Sequence, residues 1–169
     1  MTEIPFLNPL SPDQQRAFGL PETWPLALAD RVRFAELDPL NHVNNVAYLI
    51  WFEGARVTYF KHVGLSTYGA AEVEPRIVIR RGEIDWLQEM RADEDYVVVT
   101  RTVDYRTTSF TLRQEIWSGG SVRATFTCVI VLLQPDGSGR MPIPEAVRER
   151  FHAVDGLERR VDASCPPHE

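Results

Sequence analysis

The feature that most constrains the fold is an almost continuously apolar run between Asn45 and Val63. Apolar side chains lie on every side of a helix drawn through this run, which is interrupted only by Glu53, Arg56, Thr58, Lys61 and His62. A helix that is hydrophobic all round is normally buried, and a run of this length with internal charges is a poor membrane span. We therefore predict a long buried helix over residues 45–63, which the rest of the chain must wrap.

Segments with strand character lie on both sides of this helix. They are residues 31–36, 76–87, 96–105, 110–117 and 122–133. Gly82 in the second segment indicates a bulge or a bend, and the short connections 106–109 and 118–121 are typical of hairpins. The order predicts an α+β fold, in which a curved antiparallel sheet wraps one central helix and the last four strands form a meander.

The composition is that of one ordinary globular domain of 169 residues with a net charge of −6. This charge, without a cluster of Lys or Arg, argues against a nucleic-acid partner. Cys128 and Cys165 make no disulfide framework, and the histidines and cysteines lack metal-ligand spacing. The N-terminus has no signal-peptide pattern, so we expect a cytoplasmic protein without a metal site. The acidic stretch from Glu89 to Asp95 is expected to be a solvated turn.

The turn before the predicted helix combines two proton-handling side chains with the helix N-terminus. Asp38 and His42 lie in this turn, and Asn44 or Asn45 is placed to cap the helix. The first amides of a helix have no partner inside it and carry partial positive charge, so they can polarise a carbonyl or hold an oxyanion. A carboxylate beside such amides suits acyl transfer.

These residues resemble the signature of the hotdog-fold thioesterases, in the branch of 4-hydroxybenzoyl-CoA thioesterase and the YbgC-like acyl-CoA thioester hydrolases. The matching residues are Asp38, His42, Val43, Asn44, Asn45, Tyr48, Phe52, Glu53 and Arg56. The resemblance extends more weakly to about Phe151 and does not cover the first thirty residues or the tail. It implies a hotdog fold and an acyl-CoA thioesterase that needs no cofactor, because coenzyme A is part of the substrate.

The resemblance gives catalytic roles to Asp38 and to the backbone amide of Asn45. Asp38 would attack the thioester carbonyl or activate water to do so, while the Asn45 N–H would polarise that carbonyl. Judged by spacing alone, Asp38 equally fits a residue that only caps its loop through nearby amides, and Asn45 fits a plain helix start.

His42 has two interpretations. The His-Val-Asn-Asn run is similar to plant acyl-ACP thioesterases, which give the histidine a catalytic part, with an Asp four residues earlier and an Asn between them. This chain keeps Asp38 and His42 but has Leu40 in place of that Asn. An acyl-ACP thioesterase that uses Asp38 and His42 is therefore one alternative function. A structural hydrogen bond that shapes the turn is the other interpretation of His42.

Three positions are predicted to bind the substrate. Tyr48 lies near the helix start, and Arg106 and Ser109 lie in a turn where the 4-hydroxybenzoyl-CoA enzyme carries a basic cluster against the phosphates of coenzyme A. Two threonines replace basic residues of that cluster, so a plain hairpin turn is the competing interpretation. Other candidates for phosphate contact are Arg76, Arg80 and Arg81.

Glu53 and Arg56 stand three residues apart on the helix, where they can form an ion pair that serves the fold or a dimer contact. The rival interpretation makes Glu53 the catalytic carboxylate, as in a second hotdog clade. The His-Gly-Gly segment that precedes the helix in that clade is absent here, which favours Asp38 as the catalytic carboxylate.

The chain is expected to comprise a proline-rich extension over residues 1–28, a hotdog domain over 29–152 and a flexible tail over 153–169, with a short surface helix at 145–151. The extension either packs over the domain or lines a neighbour's acyl pocket. The resemblance implies a homodimer or homotetramer with sites between subunits, and the open sheet edges need pairing or cover. A non-catalytic acyl-thioester binding or assembly subunit is the remaining alternative.

Overall fold

The computed structural model describes residues 3–69 and 73–158, so Cys165 and most of the predicted tail lie outside the described residues. The helices in the described chain are α1 (Pro12–Phe18), α2 (Asn45–His62) and α3 (Glu145–Asp155), and the strands are β1 (Leu26–Arg31), β2 (Arg76–Trp86), β3 (Asp95–Tyr105), β4 (Ser109–Ser118) and β5 (Ser121–Leu133). None of these described helices is both long and apolar enough to cross a membrane. The predicted α+β architecture, an antiparallel sheet packed on one long helix, is confirmed.

The strands of the described chain form one antiparallel sheet in the order β1-β3-β4-β5-β2. β3, β4 and β5 are joined by the two predicted hairpin turns and form a meander. The prediction that β2 belongs to this meander is wrong, because β2 pairs with β5 at the far edge of the sheet. An alternating pattern shows which face of a strand is buried but not which strand lies beside it, so the pattern of β2 could not reveal its neighbour.

The predicted first strand at residues 31–36 is also wrong. β1 ends at Arg31, and Phe34–Glu36 forms a 3-10 helix in which the Glu36 carboxylate accepts a hydrogen bond from the Arg33 N–H at 2.7 Å. The first five residues of β1 are all buried, so this strand lacks the alternation typical of a strand with one wet face. β1 therefore begins inside the segment predicted to be an extension.

The irregularity predicted at Gly82 lies earlier in β2. The register against β5 shifts between Ile79 and Arg81, which makes Arg80 the extra residue of the bulge. Gly82 instead allows the ring of Phe126 to pack closely against the backbone of β2, because a Cβ atom at position 82 would lie 2.9 Å from that ring.

Helix α2 packs one side against the inner face of the sheet, where Phe52 and Tyr59 are fully buried. The prediction that it is buried all round is wrong for the other side, since Val46, Leu49 and Ile50 are 58%, 41% and 60% exposed. A single sheet covers only one side of a helix, so the apolar residues on the opposite side face outward in one chain.

The N-terminal segment covers the outer face and the edge of the sheet at β1. Leu10 and Trp24 pack with Val97 of β3 in a second apolar cluster. The N–H of Leu7 donates to the carbonyl of Ala29 at 2.8 Å, which covers the edge of β1. Among the described residues no strand pairs with the outer edge of β2, so β2 is the open edge of this sheet.

Helix α3 follows Pro144, as predicted, but continues to Asp155 instead of ending at Phe151. Asp155 fixes the end of the helix to the rest of the fold. Its Oδ2 accepts a hydrogen bond from the Tyr59 hydroxyl at 2.6 Å, and its Oδ1 accepts one from the Thr102 N–H at 2.9 Å. Burial nevertheless raises the pKa of Asp155 from 3.8 to about 6.

We expect Asp155→Asn to remove a pH-dependent part of the stability. Because the folded pKa is raised, the contribution of Asp155 is complete below the unfolded pKa of 3.8 and is lost as the pH rises through about 6. The difference between the two pKa values corresponds to about 3 kcal/mol. Urea unfolding at about pH 4 and about pH 7 should show the free energy of unfolding of the wild type falling by about 2 to 3 kcal/mol relative to that of the variant. If the free energies of unfolding of the wild type and the variant differ by the same amount at both pH values, this account is contradicted.

Candidate active site

The turn between the 3-10 helix and α2 closes around Asp38. The Asp38 N–H donates to the His42 carbonyl at 2.8 Å, and the Asn41 N–H donates to the Asp38 carbonyl at 3.0 Å. Asp38 Oδ1 accepts hydrogen bonds from the N–H groups of Leu40 and His42 at 2.9 and 3.2 Å. One carboxylate oxygen therefore caps the loop, while Oδ2 has no hydrogen-bond donor among the described residues. These bonds fix the orientation of the carboxylate and leave Oδ2 available for chemistry.

Helix α2 begins three residues after His42, whose N–H donates to this carboxylate. Asn44 is the cap, as predicted, and its side-chain oxygen accepts a hydrogen bond from the Val46 N–H at 2.9 Å. The Asn44 N–H donates to the Glu36 carbonyl at 2.8 Å. In the described part of the chain the Asn45 N–H has no acceptor. It is the amide that the sequence predicts to polarise a carbonyl, and it lies at the positive end of the helix dipole.

The imidazole of His42 faces a carboxylate that the sequence analysis missed. His42 Nε2 lies 3.0 Å from Glu89 Oε2, and Glu89 Oε1 lies 2.8 Å from Arg91 Nη2. The hydrogen bond from Arg91 lowers the pKa of Glu89, and the charge of His42 acts in the same direction. The segment from Glu89 onward is therefore more than the solvated turn that was expected. No local pattern predicts this contact, because the two residues lie in separate loops.

The loop that carries Glu89, residues 87–94, is docked on the turn. The Met90 carbonyl accepts a hydrogen bond from the Val43 N–H at 2.9 Å, and the Met90 side chain is fully buried. The turn, the start of α2 and this loop thus form one cluster. Among the described residues no group of three His, Cys, Asp or Glu side chains is arranged to hold a metal ion.

Tyr48, which is predicted to bind the substrate, lies in the core. It is 2% exposed, and its ring centroid lies 5.3 Å from that of Trp51. Burial raises the pKa of Tyr48 to about 12, so its phenol stays protonated at neutral pH. In a single chain this side chain presents almost no surface to a ligand, and its contact with substrate stays a prediction.

Arg106 and Ser109 lie in the turn between β3 and β4, where the Arg106 N–H donates to the Ser109 carbonyl at 2.7 Å. The cavity that they line, of about 320 Å³, is also lined by Arg80, Arg81 and Asp104. It lies at the opposite end of β3 from the 87–94 loop, and the eleven residues of this strand span about 30 Å. One chain therefore gathers four of the candidate phosphate contacts but holds them far from Asp38. Arg76 is not among them, because its Nε donates to the Pro135 carbonyl at 2.7 Å and its side chain lines a separate cavity.

The ion pair predicted between Glu53 and Arg56 is not formed among the described residues. Arg56 is buried, and its Nη1 donates to Gln114 Oε1 at 3.1 Å while its guanidinium lies 5.7 Å from the ring centroid of Phe126. The side-chain amide of Gln114 and the ring of Phe126 thus replace the Glu53 carboxylate as partners of Arg56. Glu53 and Arg56 line a cavity of about 460 Å³ between α2 and β2, which Asp38 does not line.

The comparison with known proteins identifies the family and the fold of the chain. Residues 32–151 match the profile of the thioesterase-like superfamily, and the chain belongs to that family. The family, together with the strand order, confirms the predicted hotdog fold. The branch within the superfamily stays a prediction.

Individual relatives cover most of the chain. The structure is similar to a thioesterase-superfamily protein of Jannaschia sp. CCS1, with 42% sequence identity and a TM-score of 0.84 over 90% of this chain and 97% of that one. It is also similar to a Thermus thermophilus thioesterase solved with coenzyme A and Zn, with 32% identity and a TM-score of 0.70 over 80% of this chain and 98% of that one. YsmA of Bacillus subtilis (strain 168), described as uncharacterized, is 28% identical over 105 residues, which are 61% of this chain and 67% of that protein. The family match and the two solved thioesterase relatives support thioester hydrolysis in general.

Proposed function

We propose that the protein hydrolyses an acyl-CoA to a free acid and coenzyme A at the N-terminal end of α2. The observation that carries the proposal is that one turn and the helix start that follows it hold, among the described residues, a carboxylate oxygen without a donor, at Asp38, and an amide N–H without an acceptor, at Asn45. Membership of the thioesterase-like superfamily supports the reaction class. The coenzyme A bound to the relative from Thermus thermophilus supports the carrier.

In the proposed reaction Asp38 Oδ2 attacks the thioester carbon, or removes a proton from a water molecule that attacks it. Negative charge then develops on the carbonyl oxygen, where the Asn45 N–H and the helix dipole stabilise it. The C–S bond breaks, and the thiolate of coenzyme A leaves and takes up a proton. On the first route water then hydrolyses the acyl-aspartate anhydride, which releases the acid and restores Asp38.

The test is thiol release from a panel of acyl-CoA esters, aliphatic and aromatic and of several chain lengths, followed with a coloured thiol reagent. We expect release above background with at least one ester. A protein that binds acyl-CoA in a titration but releases no thiol from any ester would be the non-catalytic binding or assembly subunit, and this proposal would be overturned.

An acyl-ACP thioesterase is the second candidate, and the observation that favours it is the contact between His42 and Glu89. In the plant acyl-ACP enzymes that this segment resembles, the histidine has a catalytic part. Rates with the same acyl chain carried by coenzyme A and by ACP distinguish the two functions. On either carrier we expect His42→Ala to lower the rate by about tenfold, which is less than the loss of the carboxylate at Asp38.

We further propose that a second copy of the chain completes the site. Val131 of β5 pairs with both Ser109 and Val78, so the 106–109 turn lies beside the start of β2. The 87–94 loop follows the end of β2. Two β2 edges that pair antiparallel about a two-fold axis would bring the start of one β2 beside the end of the other. The basic cavity of one copy would then face the catalytic turn of its neighbour.

Arg106→Gln should therefore raise the KM for acyl-CoA by about tenfold and leave kcat within about twofold, because one charge-assisted hydrogen bond to a phosphate is worth about 1.5 kcal/mol. Initial rates with the matching acyl-pantetheine thioester supply the control. This substrate has the same reacting group but lacks the nucleotide phosphates, so its KM should not change. An equal rise in KM for both substrates would contradict a phosphate contact at Arg106.

A further inference from the structure

The side chain of Arg123, near the start of β5, reaches the loop that presents Glu89. Its Nη1 donates to Gln88 Oε1 at 3.0 Å and to the Glu89 carbonyl at 3.3 Å. Its Nη2 lies 3.6 Å from Glu94 Oε2, and its Nε donates to the Ser118 carbonyl at 3.1 Å. One guanidinium thus joins both ends of the 87–94 loop to the sheet.

The surroundings of Arg123 hold its side chain in this place. Its side chain is 18% exposed, whereas that of Arg91, which lies on the loop itself, is 61% exposed. The carbonyl of Arg123 accepts hydrogen bonds from the N–H groups of Leu87 and Gln88 at 2.8 and 3.1 Å. Gly119 leaves room for the guanidinium, because a Cβ atom there would lie 3.2 Å from Nη2. Because the guanidinium of arginine is planar and packed in place here, it loses little conformational entropy for each hydrogen bond it forms.

We propose that Arg123 is a positioning residue, which holds the 87–94 loop so that Glu89 meets His42 and Met90 meets Val43. This inference rests on the proposed function. The contact between Glu89 and Arg91 is exposed to solvent on both sides and is too weakly held to fix the loop by itself. The largely enclosed fork of Arg123 is therefore what sets the distance between the Glu89 carboxylate and the imidazole of His42.

Kinetics of a double-mutant cycle test this role. Arg123→Gln should lower kcat by about tenfold and leave the KM for acyl-CoA within about twofold, because it displaces Glu89 from His42, whose removal is expected to cost about tenfold, and does not touch the coenzyme. In the His42→Ala background the same substitution should cost less than about twofold, because its effect passes through His42. An equal loss in both backgrounds would overturn the proposal.

Arg113→Gln is the matched control. Arg113 is a half-buried arginine of the neighbouring strand β4, and it contacts Glu115 and Thr127 instead of the loop. We expect its kcat to stay within about twofold of the wild type. Arg123→Lys, which keeps the charge but loses the planar fork, should show most of the loss seen in Arg123→Gln.

Amide hydrogen exchange measures the positioning without any hydrolysis. In Arg123→Gln the N–H groups of Val43 and Arg91, which donate to the Met90 carbonyl and to Glu94, should exchange at least about tenfold faster while the ladder of β3 and β4 is unchanged. Unchanged exchange at Val43 and Arg91, or faster exchange throughout the sheet, would overturn the proposal. If the wild type releases no thiol, the proposed function fails, and exchange still decides whether Arg123 holds the loop.

Discussion

Asp38→Asn is expected to lower kcat/KM for the best acyl-CoA substrate by at least about 100-fold, the usual scale for a positioned acid or base. The asparagine keeps a carbonyl oxygen in place of Oδ1, so the hydrogen bonds from Leu40 and His42 that close the turn are preserved. It replaces Oδ2 by an amide group, which neither attacks a thioester nor accepts a proton from water. Thiol-release rates measure the loss, and the thermal midpoint of unfolding should stay close to that of the wild type.

Asp136→Asn is a close control for this substitution. Asp136 Oδ1 accepts a hydrogen bond from the Ser138 N–H at 2.8 Å, two residues onward, as Asp38 Oδ1 does from Leu40. Both residues thus cap a turn in the same way, but Asp136 lies in the connection after β5. Its variant should keep the wild-type rate within about twofold. Equal activity of Asp38→Asn and wild type would exclude Asp38 from the reaction.

The parts of the fold that could be predicted are those with a local cause. The almost continuous apolar run predicted α2, the side chain of Asn44 predicted its cap, and the glycines at 119–120 indicated the hairpin between β4 and β5. β1 was missed because its buried run shows no alternation, and the place of β2 was missed because pairing depends on contacts far apart in sequence.

The candidate site likewise contains residues with a local signal in the sequence and residues that only long-range contacts place there. Asp38 and Asn45 belong to one short segment with a recognisable spacing, so the amino-acid sequence alone could single them out. Glu89 and Arg123 reach the site through contacts from a distant loop and from β5. Neither lies in a motif, and only the docking of the 87–94 loop on the turn gives them a place beside His42.

The second large effect is expected from substitutions on the open edge of β2, where two copies of the chain are proposed to pair. Val78 and Ile79 are 39% and 45% exposed near the start of this edge, so lysines at both positions should leave the single chain folded. Across a two-fold pairing they would remove apolar contacts worth about 3 kcal/mol and place lysine side chains, which natural edge strands use to block pairing, at the seam. We expect Val78→Lys/Ile79→Lys to weaken the proposed dimer by at least about 100-fold and to lower the rate in proportion to the lost dimer. Sedimentation and thiol release at the same protein concentrations measure both.

Val103→Lys controls for the added charge, because Val103 is 41% exposed on β3, away from the edge. It should change neither assembly nor rate. A monomeric edge variant with full activity would show that one chain holds a complete site.

Mixing subunits of two variants tests the same dimer geometry through the reaction rate. If Asp38 of one copy and Arg106 of the other serve one site, a hybrid of Asp38→Asn and Arg106→Gln subunits has one site with both substitutions and one site with neither. An equal mixture of the two variants, assayed well below KM, should then recover about a quarter of the wild-type rate, since half of the randomly assembled dimers are hybrids. If both residues serve the site of their own chain, every site in the hybrid carries one substitution and the rate stays at the mean of the two variants. Recovery therefore requires that the roughly 30 Å between the two ends of β3 be bridged by a second copy.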